Sequence, residues 1–85
     1  MSILTLSEKK ALRTYADNMT WFRVNYTRLA GEHPNNYVAI NNGDVIDSDT
    51  DPRRLIDRLR SKYGGENITT FAIGFVSKND VELII

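Results

Sequence analysis

Asn42-Gly43 stands between two short runs rich in β-branched residues, Tyr37-Val38-Ala39-Ile40 and Val45-Ile46-Asp47-Ser48. A two-residue loop of this composition closes a hairpin through a type I′ turn. That turn needs positive φ at both central residues, which asparagine and glycine adopt with least strain. Tyr37–Ser48 therefore reads as two antiparallel strands, and the segments on either side must pack against them.

The segment before the hairpin has a helical start and a helical period. Thr5-Leu6-Ser7-Glu8 has the form of a capping box, with Thr5 as N-cap and Glu8 three residues on. Leu12, Tyr15/Ala16, Met19, Phe22, Tyr26 and Leu29/Ala30 then recur at intervals of three and four. Gly31 suits the position just past the helix, and Pro34 blocks continuation. A single helix over this pattern would run for roughly 25 residues, longer than usual. Asp17, Asn18 and Thr20 are better caps than helix-interior residues, so a break near Asn18–Thr20 is the alternative. Trp21 and Val24 fall off the apolar row and either lie over a neighbouring element or face solvent.

After the hairpin, Asp51 as N-cap with Pro52 behind it starts a second helix. Leu55, Ile56, Leu59 and Tyr63 share one face of it, and Gly64-Gly65 ends it. Ile68–Val76 reads as a strand with Phe71, Ile73 and Phe75 on one face. Gly74, on the other, suggests a bulge or a closely packed helix. A turn at Ser77–Asp80 leads to a last strand, Val81–Ile85. The expected architecture is a single α+β domain over residues 1–85 in the order α-β-β-α-β-β. Its four-stranded, mostly antiparallel sheet would carry helices on one face.

Composition narrows the functional classes. Eighty-five residues suffice for one core, and 41% apolar with 26% charged residues is ordinary for a packed, water-soluble domain. No apolar run approaches the roughly 18 residues of a membrane span, and MSILTLSEKK lacks the pattern of a signal peptide, so a cytoplasmic location is expected. With no cysteine, disulfides, thiolate metal sites and thiol catalysis are excluded. A net charge of zero conceals segregation: residues 1–31 and 52–65 are basic, whereas residues 32–51 and the last twenty are acidic. Basic helices facing acidic loops suit attraction within the fold or between copies of it.

Three groups of residues invite a chemical reading. Asp47-Ser48-Asp49-Thr50-Asp51 resembles the start of a calcium loop, but Pro52 takes the place of its glycine and Arg58 that of its bidentate glutamate. Together with Asp44 and His33 these acids would be the place for a weak metal site or an enzyme. Ser48, Ser61 and Ser77 lack a nucleophile-elbow context for His33, and exposed neighbouring acids do not acquire divergent pKa values. A strand end, a helix cap and a loop histidine account for these residues without catalysis. Gly64-Gly65 precedes a strand, so it is no phosphate-binding loop. Arg53, Arg54, Arg58, Arg60 and Lys62 could meet nucleic-acid phosphates, yet the neutral domain and the acidic hairpin oppose this. The uncharged end of the chain, Val81, Leu83 and Ile85, together with Trp21 and Val24, marks a possible protein interface.

From Trp21 to Val76 the chain resembles a family of short prokaryotic proteins classed as a domain of unknown function. The shared pattern is an aromatic-led helix (Trp21–Leu29), Gly31, the strand Tyr37-Val38-Ala39-Ile40, the turn Asn42-Gly43 and the strand Val45-Ile46. The amphipathic helix Leu55–Leu59 and the Phe-rich strand Phe71–Val76 complete it. The five residues between Gly31 and Tyr37 exceed what that family pattern leads one to expect. The resemblance implies the α+β fold and brings no catalytic residue, cofactor or small-molecule ligand. The leading expectation is a non-enzymatic, self-associating interaction module, a homodimer or a partner of another protein. Nucleic-acid binding through Arg53–Lys62 is the alternative, and a metal or catalytic site at the acidic loop the second.

Overall fold

A computed structural model of the chain describes residues 3–78. Helix α1, Leu6–Val24, is followed by α2, Tyr26–Glu32, the hairpin strands β1, Asn36–Asn41, and β2, Asp44–Asp49, and helix α3, Pro52–Tyr63. A 3₁₀ turn, Asn67–Thr70, leads into β3, Ala72–Val76. The hairpin forms as expected: Asn42 and Gly43 both have positive φ, 51° and 71°, between the paired Asn41 and Asp44.

The sheet has the order β2-β1-β3, with β1 antiparallel to both neighbours. Its helices cover both faces, which corrects the expectation of helices on one. Val38 and Ile40 pack with Phe22, Leu29, Ala30, Ala72 and Val76 under α1 and α2. Ala39 packs with Leu55, Leu59 and Phe71 under α3, beside Tyr37 and Ile73. The cause is β1 itself, an unbroken apolar run at the centre of the sheet, which presents core side chains in both directions. The expected fourth strand, Val81–Ile85, lies outside the described residues, as does most of the turn before it.

Local signals at the helix ends hold. Thr5 and Glu8 form the reciprocal capping box, Asp51 accepts from the Arg53 amide at 2.9 Å, and Gly64 ends α3 at φ 89°. The N-terminal pattern, in contrast, is two helices broken at Asn25 instead of one helix or a break at Asn18–Thr20. The Asn25 side chain donates to the Trp21 carbonyl at 2.9 Å, satisfying an acceptor at the end of α1. Gly31 lies inside α2, which continues to Glu32 and is capped at His33. Ile68–Thr70 also depart from the expected strand, because their 3₁₀ turn carries the chain from α3 back to the sheet.

Candidate interaction surfaces

A register shift in the hairpin organises the polar side of the molecule. Ala39 pairs with Asp47 and Ile40 with Val45, so Ile46 is an extra residue on β2. Strict alternation would place Val45, Asp47 and Asp49 on one face. The extra residue leaves Val45 with the α1 cluster and turns Asp47 and Asp49 toward α3. There Arg58 takes Asp47 through two nitrogens at 3.1 Å, Asp49 at 2.7 Å and the Ser48 carbonyl at 3.0 Å. Arg54 reaches Asp49 at 3.0 Å, and Asp49 also accepts from the Asp51 amide at 2.8 Å. The Arg54 guanidinium, the Asp51 amide and Arg58 hold the Asp49 carboxyl well below the usual carboxylate range. Arg58 lowers Asp47 as well, and the paired acids raise both guanidinium pKa values.

This network settles where the sequence candidates go. The acids are held in strand β2 by arginines. Among the described residues, no three or more His, Asp or Glu side chains gather as metal ligands. His33 caps α2 and lines a groove with Trp21, Arg28, Glu32, Gly43, Asp44 and Val45, away from Asp47 and Asp49. Of the basic helix, Arg54 and Arg58 turn onto β2, and Arg60 lies 3.9 Å from Asp57. Lys62 sits over the Tyr63 ring at 5.4 Å, and Arg53 is exposed. The five cations do not form one open row.

Trp21 and Val24 part company. Trp21 is half-buried: its ring covers the hairpin turn, where a Cβ on Gly43 would stand 3.5 Å from Nε1, and the Arg28 guanidinium lies 5.4 Å from its centroid. Val24 is 78% exposed at the end of α1. Phe75, 43% exposed, lies against Tyr37 with ring centroids 5.0 Å apart. Val81, Leu83 and Ile85 lie outside the described residues.

Composition alone did not single out the apolar surface at the start of α1. Met19 and Phe22 pack into the core, but the same row continues past the sheet to Tyr15, 43% exposed, and Leu12, 55% exposed. Leu6, ahead of them, is 70% exposed. Leu12 and Tyr15 border a groove with Ala11, Thr69 and Thr70. The signal for it was present: the apolar period is longer than the three short strands can cover.

Asn18, buried in the same helix, was also missed as a structural polar group. Its amide donates to Asn41 Oδ1 at 3.1 Å and to the Thr70 carbonyl at 2.7 Å, and its oxygen accepts from the Asn42 amide at 3.0 Å. It thereby ties α1 to the hairpin turn and to the segment leading into β3. No helix of the described residues is long and apolar enough to cross a membrane. A family model described as "Family of unknown function (DUF5678)" matches residues 28–79. No curated protein and no solved structure shows detectable similarity to the chain.

Proposed function

The chain belongs to this family of unknown function, and from that premise we propose that it is a cytoplasmic, non-enzymatic protein-interaction module that associates with itself. One observation carries the reading: the core-facing row of α1 runs on beyond the sheet as Tyr15 and Leu12, with Leu6 and Ile3 also open to solvent. Apolar side chains grouped along one side of a helix favour burial against another protein surface. The polar side of the molecule supports the same reading. Its arginines and aspartates satisfy one another, which leaves neither an activated acid nor an open cationic row.

Sedimentation velocity of the full chain between about 1 and 100 µM tests it, because association must follow mass action. A concentration-dependent shift from monomer to dimer is expected. A monomer throughout that range, with no protein co-purifying, would overturn the proposal.

A further inference from the structure

The exposed row of α1 defines a geometry as well as a tendency to associate. Ile3, Leu6, Leu12 and Tyr15 are 89%, 70%, 55% and 43% exposed. Together they offer roughly 500 Å² of apolar surface, on the scale of the apolar share of one side of a standard interface of about 800 Å² per partner. Leu12 is central along this patch and is flanked by the small Ala11, with the groove to Thr69 and Thr70 opening beside it. A patch that holds both a protruding leucine and an adjoining groove can be complementary to itself. In closed two-fold symmetry each copy uses the same surface, so helix meets helix with antiparallel direction.

We propose that two copies of this chain pair through the N-terminal half of α1, the helices crossing near Leu12 and each Leu12 seated in the partner copy's groove between Tyr15 and Thr69–Thr70. This rests on the self-association reading and adds to it the identity of the partner and the point of crossing. In this arrangement Leu12 lies beside the dyad, and its equivalents from the two copies approach each other. Lys9 and Lys10 lie on other sides of the helix, where their ammonium groups stay in water while the apolar row is covered.

The natural absence of cysteine makes a direct test available. The full-length variant Leu12→Cys is expected to oxidise to an intermolecular disulfide at least about ten-fold faster than Lys10→Cys on the back of the helix, since only side chains at the crossing meet bridging geometry. Leu12→Lys is expected to raise the dimer dissociation constant at least about ten-fold. Because Leu12 lies outside the core, circular dichroism of Leu12→Lys is expected to match the wild type.

Equal cross-linking of the two cysteine variants would overturn the proposal. A dimer unaffected by Leu12→Lys but dissociated by Phe75→Lys would overturn the α1 pairing while leaving self-association standing. A monomeric wild type would overturn both, and it is the outcome expected if residues 79–85 of the same copy cover the groove instead.

Discussion

Phe22 stands end-on over Gly74: a Cβ added to that glycine would lie 2.6 Å from Cζ of the ring and 3.0 and 3.1 Å from its Cε atoms. Contacts this short cannot persist, and the ring is enclosed in the core with Leu29, Val38 and Val76. Gly74 therefore marks a close approach of α1 to β3 and not a bulge.

Gly74→Ala is expected to force the ring aside and to lower stability by about 1–3 kcal/mol, the usual effect of overpacking. Combining it with Phe22→Leu should give less than the sum of the two single losses, because the shorter side chain vacates the clash. Urea denaturation of the four proteins checks this, and strict additivity would mean that the two residues do not press on each other.

Asn18 is buried among the Asn42 amide, Asn41 and the Thr70 carbonyl. Replacing it with leucine leaves a buried donor and a buried acceptor without partners, so a loss of about 1–3 kcal/mol is expected. Asn18→Asp should be worse than Asn18→Leu at neutral pH. Its carboxylate would face the Asn41 and Thr70 oxygens, acceptors it cannot serve. An aspartate variant as stable as the wild type would show that the bridge does not constrain α1.

Acid should loosen the seam between β2 and α3. Asp47 and Asp49 titrate below their ordinary 3.8 in the folded chain, chiefly through hydrogen bonds from Arg58 and Arg54 respectively. Below that value the unfolded chain binds protons more readily than the folded one. The stabilisation is therefore present above pH 3.8 and is lost as pH falls through the depressed values. Thermal melts are expected to show a midpoint that declines below about pH 4, with a shallower decline in the Asp47→Asn/Asp49→Asn double variant. Arg58→Lys should lower the neutral-pH midpoint, because one ammonium cannot span both carboxylates as the planar guanidinium does. Identical acid limbs in wild type and double variant would remove the seam as a source of stability.

Much of the fold was legible because its signals are local. The capping box at Thr5–Glu8, the Asp51-Pro52 start and the positive φ values at Asn42-Gly43 depend on backbone geometry within four residues. The apolar run of β1 was equally visible, but its burial on both faces was not used to place helices on both. The interface residues fared unevenly. Val24 is exposed, whereas Trp21 is largely spent on covering the Gly43 turn. The acidic residues of 47–51 had the look of a loop only because their cations, Arg54 and Arg58, approach through space.

By itself the sequence determined where the chain turns, where its helices start and which residues are apolar enough to be buried, since each depends on near neighbours. The tertiary structure alone decided which way β2 faces after Ile46, and hence that Asp47 and Asp49 meet arginines of α3. One unpaired residue reverses the pleat for everything after it, and no periodicity in Val45–Asp49 announces that reversal.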